Sequence, residues 1–306
     1  MAVVTSPLAL IGNTPIIKLD NTIFPETEIA DIYVKLENFN IGGSIKDRAA
    51  LGMIEEAETS GSLKAGATLV EATSGNTGIA LALIAGLKGY KMIIVMPETM
   101  SIERRKMIQA YGAELILTNG AKGMQGAIDE AEALVKANKN YFMPLQFINP
   151  ANPAKHYATT AQEIIQDIPD IDIFVAGVGT AGTISGIGKG LKEYNQSIKV
   201  VALEPASSAV LSGEPAGPHK IQGIGANFIP ANYQPAVVDQ VMQVTDEQAF
   251  TFARLVAQKN GLFVGISAGA NIWGAYELAK KLGKGGKVVT VAADGGEKYL
   301  STDLVK

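Results

Sequence analysis

Lys46 is carried by a glycine-bearing loop, Asn40-Ile41-Gly42-Gly43-Ser44-Ile45-Lys46-Asp47-Arg48, into the start of a helical pattern running from Asp47 to about Ser60. The positive end of a helix dipole disfavours a cation, and burial there would lower the pKa of the amine. An amine left partly neutral is a nucleophile of the kind that joins an aldehyde cofactor. Taken alone, the loop reads as plainly as a solvated lysine at a helix start. A second stretch, Glu71-Ala72-Thr73-Ser74-Gly75-Asn76-Thr77-Gly78, turns from a strand into a helix. Its hydroxyls, amide and unpaired backbone N–H groups can seat a carboxylate or phosphate, and four small polar residues exceed what an N-cap needs. A third, Gly177-Val178-Gly179-Thr180-Ala181-Gly182-Thr183, fits the G-x-G-x-x-G dinucleotide fingerprint, with Glu204 ending the next strand. Thr180 and Thr183 suit a phosphate monoester at least as well, and a dinucleotide would leave the lysine loop unexplained. Gly265-Ile266-Ser267-Ala268-Gly269-Ala270 is a fourth small-residue turn, which alone reads as close packing.

These loops need elements to hold them. Apolar runs predict short strands at Ile16–Leu19, Ile32–Leu36, Thr68–Ala72, Met92–Met96, Glu114–Leu117, Phe142–Gln146, Ile173–Ala176, Lys199–Leu203 and Val288–Ala292. Helical patterns separate most of them, which implies βαβ units and mostly parallel sheets covered on both faces. Residues 206–240, rich in Gly, Pro and Ser, break the rhythm, and a long irregular stretch in a compact protein is usually functional. The 306 residues, 47% apolar and 18% charged, suffice for about two domains. A net charge of −4 argues against nucleic acid or an anionic membrane as partner. No cysteine is present, which excludes disulfides, thiolate catalysis and cysteine-bound metal. His156 and His219, the two histidines, lack metal-ligand spacing and read as structural or rim residues. The start, Met1 to Pro7, has no basic segment before a long apolar run, so no secretion signal is expected. The apolar run Ala80–Ala85 is too short to span a membrane, and a cytoplasmic protein is expected.

Together these blocks resemble the cysteine synthases (O-acetylserine sulfhydrylases), pyridoxal-phosphate enzymes of the tryptophan-synthase-β fold. The similarity runs in the family's order from Ile11-Gly12-Asn13-Thr14-Pro15 to Gly296-Glu297-Lys298-Tyr299-Leu300. The resemblance implies an α/β fold of two domains, each a mostly parallel sheet flanked by helices, with pyridoxal 5′-phosphate in the cleft between them. A small domain of roughly residues 37–149 and a large one of 1–36 and 150–306 are expected, the small one closing on substrate. Lys46 is implied as the catalytic residue, bonded to the cofactor until the amino acid displaces it and then acting as the base at Cα. Asn76 is implied at the cofactor's 3′ oxygen, Gly179, Thr180, Gly182 and Thr183 at its phosphate, and Ser267 at its ring nitrogen. Thr73, Ser74, Gly75, Asn76, Thr77 and Gln146 are implied to hold the substrate carboxylate. The block His219 to Asn227 resembles the loop at the mouth of the site, where Gly223 and Asn227 are counted as substrate contacts.

The reaction so implied is O-acetylserine plus sulfide giving cysteine plus acetate, through an α-aminoacrylate. A homodimer is implied, as is binding of the C-terminal tail of serine acetyltransferase in the cleft. The chain departs from the usual pattern at Ile41 (proline), Ala181 (glycine), Ala268 (serine) and Asn227 (glycine), and at Asp294-Gly295-Gly296, where a serine pair is common near the ring. These departures keep open a cystathionine β-synthase using homocysteine, or a cysteine lyase releasing sulfide. A binding protein on a retired enzyme fold is a further alternative, opposed by Lys46, Asn76 and Ser267. A nicotinamide dehydrogenase, resting on Gly177–Gly182 alone, is the remaining one. The chain ends at Lys306, soon after the last block, so an appended regulatory domain is not expected.

Overall fold

The computed structural model describes residues 3–26 and 28–306; Met1 and Ala2, part of the stretch in which no secretion signal is expected, lie outside them. In chain order the strands are β1 (Ile16–Lys18), β2 (Asp31–Leu36), β3 (Thr68–Ala72), β4 (Lys91–Pro97), β5 (Glu114–Thr118), β6 (Tyr141–Phe142), β7 (Ile173–Gly177), β8 (Lys199–Pro205), β9 (Gln240–Val244) and β10 (Lys287–Ala292). The helices are α1 (Lys46–Thr59), α2 (Asn76–Lys88), α3 (Ile102–Ala110), α4 (Gly123–Ala137), α5 (Ala151–Lys155), α6 (Ala161–Asp167), α7 (Gly182–Tyr194), α8 (Asp246–Asn260) and α9 (Ile266–Leu282). A π-helical turn, His156–Thr160, joins α5 to α6. Two sheets result. One is six-stranded, in the order β1-β2-β10-β7-β8-β9, antiparallel only at β1. The other is wholly parallel, in the order β5-β4-β3-β6.

Each sheet is buried on both faces, and the alternation of a strand decides which residue goes where. In β4, Met92, Ile94 and Met96 join a core with α1 and α2, while Ile93 and Val95 point the other way onto Ala127 and Ala131 of α4. In the larger sheet, Val175, Val201 and Val288 pack under α8 and α9, and Phe174, Val200 and Val289 under α6 and α7. This explains why the strands read as unbroken apolar runs. Ala80–Ala85 is the buried middle of α2, and among the described residues no helix is long and apolar enough to cross a membrane.

Two strand expectations need correction. The run Phe142–Gln146 yields strand only at Tyr141–Phe142. Pro144 lies two residues past the strand and cannot donate to a ladder. Leu145 then takes a left-handed φ of 59°, which lets its N–H reach the Glu71 carboxylate at 2.9 Å. The second correction is β9, an edge strand at the end of the irregular stretch that pairs with β8 from Val201↔Gln240 to Pro205↔Val244. Its sequence, Gln-Val-Met-Gln-Val, carries two exposed glutamines, which an edge strand open to water accommodates.

Candidate active site

The lysine loop is fixed by partners far away in sequence. Ile45 N–H donates to Ala293 O at 2.8 Å, and Ser44 pairs with Asp294 in a single antiparallel bridge just past the end of β10. Gly42 N–H donates to the Asp47 carboxylate at 2.6 Å, and the Lys298 ammonium donates to Gly43 O at 2.8 Å. Gly43 sits at φ +77°, and a side chain there would crowd that ammonium. Behind the loop lies a buried group of four charges, Lys35, Glu37, Arg48 and Glu163. Arg48 donates Nε to Glu37 Oε2 at 2.8 Å and Nη2 to Glu37 Oε1 at 2.9 Å. It also meets both oxygens of Glu163, at 2.6 and 2.8 Å, and Lys35 Nζ lies 2.7 Å from Glu163 Oε2. Asn40 donates to Glu37 at 2.8 Å, which ties the first residue of the loop to the same network. Two cations and two anions balance, and paired, hydrogen-bonded charges are the form in which burial is tolerable.

A cleft of about 500 Å³ opens in front of Lys46. Around it the fold gathers Thr73, Ser74, Gly75, Asn76 and Thr77 at the junction of β3 and α2, and Gln146 and Gly223. Gly179, Thr180 and Thr183 reach it from the turn between β7 and α7, and Ser267 from the start of α9. Three helix N-termini therefore converge on one space, each able to receive an anion. Thr77 Oγ1 donates to Gln146 Oε1 at 2.6 Å, joining the two parts expected to hold a carboxylate. Two expected residues do not line the cleft. Gly182 is buried against Asn152, where an added Cβ would stand 1.9 Å from Asn152 Oδ1. Asn227 turns its side chain to accept a hydrogen bond from Ser208 Oγ at 2.8 Å, leaving Ala226 and Phe228 to line the mouth.

The departures at 181 and 227 have a shared backbone reason. Ala181 and Asn227 both adopt left-handed φ, 64° and 65°, where a glycine costs nothing. Asparagine tolerates that region better than alanine does. Ala181 is accordingly a mildly strained N-cap for α7.

Burial pushes the Lys46 amine below the ordinary lysine range, and the nearby Asp294 carboxylate opposes that shift. Burial also pushes the Glu71 carboxyl up to about 7, against the pull of hydrogen bonds from the Leu145 and Gln146 N–H groups. His156 is held well below its ordinary value by burial and by the charges of Arg48 and Lys46. It is a buried neutral ring, not a rim residue, with Nδ1 3.0 Å from Thr160 Oγ1.

Sequence reasoning overlooked several supports. Asn152 donates to Gln146 O and to Thr180 Oγ1, both at 2.9 Å, so one amide aligns two walls of the cleft. The stretch that holds it, Asn149-Pro150-Ala151-Asn152-Pro153, reads in sequence only as a plausible crossing between the two domains. Asn271 Oδ1 accepts from Gly177 N–H at 2.8 Å and its Nδ2 donates to Val291 O, locking the third loop to α9. Tyr299 Oη and Asn76 Nδ2 both donate to Asp294 Oδ2, at 2.6 and 2.7 Å. Two buried oxygens on the cleft, Asn76 Oδ1 and Asp294 Oδ1, have no partner, as expected where a ligand supplies one.

Comparison with known proteins gives a consistent picture. A family model described as pyridoxal-phosphate dependent enzyme matches residues 8–294. A cysteine synthase of Staphylococcus aureus is 52% identical over 297 residues, covering 96% of this chain and 95% of that protein. The crystal structure of O-acetyl serine sulfhydrylase isoform 3 from Entamoeba histolytica superposes with a TM-score of 0.96 at 44% identity, covering 99% of this chain and 92% of the other. An O-acetylserine dependent cystathionine beta-synthase from Helicobacter pylori superposes with a TM-score of 0.94 at 39% identity, with full coverage of both chains.

Proposed function

This chain belongs to the pyridoxal-phosphate dependent enzymes, in the group of the cysteine synthases, and on that footing we propose that it converts O-acetylserine and sulfide to cysteine and acetate. That it uses pyridoxal phosphate and catalyses β-replacement follows from the family. The residues present suit the group. A desolvated lysine amine and a glycine-lined helix start border one cleft, and Asn76 and Asp294 on its wall each keep a buried oxygen without a partner. Lys46, Asn76, the Gly179–Thr183 turn and Ser267 would hold it. When bound, it supplies an aldehyde for the substrate amine and a sink for the electrons released at Cα.

The chain's own residues do the rest. Thr73 to Thr77 and Gln146 take the substrate carboxylate at the N-terminus of α2, with Thr77 and Gln146 already joined. Lys46 takes the Cα proton as acetate leaves and returns it once sulfur has added. Burial lowers the pKa of its amine, which favours the neutral form that both roles require.

The choice of sulfide rests on the charge of the cleft wall. Among the described residues lining it, Lys46 is the one basic side chain, while Glu71, Glu132 and Asp294 are acidic. Homocysteine or cysteine as nucleophile brings a second carboxylate, which finds no cation there. Sulfide needs none. The test offers O-acetylserine with equal sulfide and homocysteine and resolves the products by mass spectrometry. Cysteine should dominate, and a majority of cystathionine would replace this reading with the neighbouring one. Closure of residues 37–149 over the substrate, a cytoplasmic homodimer and docking of a serine acetyltransferase tail belong to the same reading, and the family resemblance supports them.

A further inference from the structure

Asp294 places a carboxylate on the cleft wall, 1% exposed, at a position where the resemblance has serine. Its location relative to Lys46 is set by backbone pairing: Ser44 bridges Asp294, and Ile45 N–H binds Ala293 O. One oxygen is held by Tyr299 and Asn76, and the other is buried without a partner. Gly265 makes room for it, since an added Cβ there would lie 2.1 Å from Asp294 Oδ1. A carboxylate this well fixed, lining the same cleft as Lys46, puts a negative charge beside the amine.

We propose that Asp294 is a positioning residue for Lys46, its fixed negative charge keeping the lysine amine able to hold a proton inside the cleft. The proposal rests on the reading of Lys46 as the base, and adds what tunes it. Burial alone strips the proton from a lysine. A base that takes a proton from carbon and later gives it back must bind it well in between. Asp294 supplies that, and burial supplies the opposite pull. Other ionisable groups near the amine serve elsewhere or are uncharged. Glu71 is turned to the Leu145 N–H, His156 is neutral, and the Tyr299 hydroxyl is spent on Asp294. Asp47 and Lys298 hold the Gly42 and Gly43 backbone, and Arg48 is taken by Glu37 and Glu163.

The experiment uses the cofactor-free protein, so that it reads the amine and not turnover. Pyridoxal phosphate is added to the unmodified chain, Asp294→Asn, Asp294→Ser and Lys46→Ala, and the rise of the visible band is timed across neutral to alkaline pH. Capture needs the neutral amine, so its rate climbs through the amine's midpoint, and the ionisations of free cofactor are common to all four proteins. Asp294→Asn keeps the shape and the bonds to Tyr299 and Asn76 but loses the charge. Its midpoint should fall by about one pH unit, making capture about tenfold faster well below both midpoints. Asp294→Ser should shift the same way. A midpoint unmoved in the asparagine variant, with Lys46→Ala failing to develop the band, overturns the role of Asp294 while leaving Lys46 in place. A normal band in Lys46→Ala would instead remove the reading of Lys46, and the proposal with it.

Discussion

Replacing Arg48 with methionine should show how firmly the lysine loop depends on the buried charges behind it. Arg48 and Glu37 have side chains 1% and 0% exposed, and Arg48 alone bridges Glu37 to Glu163. Methionine fills much of the volume but leaves Glu37 buried without its cation. Breaking a buried pair from one side costs about 3–5 kcal/mol. For a chain of this length that is a fall in Tm of roughly 6–10 °C, at about 2 °C per kcal/mol. An independent route checks the scale. Burial would raise the Glu163 carboxyl, but hydrogen bonds and charge from Arg48 and Lys35 hold it at about 2, against an ordinary 4.5. That difference is worth about 3 kcal/mol, or roughly 2 after allowing for its partial contact with water. Because the folded value is depressed, this stability is present above pH 4.5 and drains away as pH falls towards 2. The variant has little of it to lose. Calorimetric melts at neutral pH and below pH 4 should therefore show a wide gap that narrows with acid. A variant melting within about 2 °C of the parent at neutral pH would refute the argument, as would a gap that stays constant into acid.

Three more outcomes follow from the geometry. Glu71, raised to about 7 by burial, makes folding less favourable as pH climbs from its ordinary 4.5 through 7, so Glu71→Gln should stabilise the protein at pH 8 by about 1–2 kcal/mol and little at pH 5, as read by urea melts. Asn152→Ala removes the donor shared by Gln146 and Thr180. It should weaken substrate and cofactor binding together by roughly 1–3 kcal/mol, or about 5- to 150-fold, seen by titration in the visible band. Gly179→Ala would drive a methyl to 2.4 Å from Gly223 O, and should be purified colourless while still folded by circular dichroism.

Much of this was legible before any coordinates. The βαβ rhythm placed nearly every strand because buried parallel strands are continuous apolar runs, and the turns into α2, α7 and α9 each carried a small-residue signature. What escaped was long-range or edge-bound. β9 is short, carries two exposed glutamines and sits beside a Gly/Pro stretch that masks it. Lys35 hides within an apolar strand, and nothing local reveals that it meets Glu163, 128 residues later. Asp294 was visible as a departure, but only the bridge to Ser44 shows that its backbone lies against the lysine loop. Asn227 was expected in the cleft from its polarity, whereas its backbone angle and Ser208 account for it without any ligand.

The placement of β10 has a consequence for how the protein is made. This last strand lies in the interior of the six-stranded sheet, between β2 and β7, and the residues just after it grip the lysine loop. The first and last parts of the chain must therefore meet before either the sheet or the loop is complete, a closure over some 250 residues that is slow on topological grounds. A nascent chain can finish the four-stranded sheet early but holds an unfilled slot in the larger one until β10 has been made. Cofactor capture is thus a late event, and a chain cut short of β10 should be neither stable nor yellow.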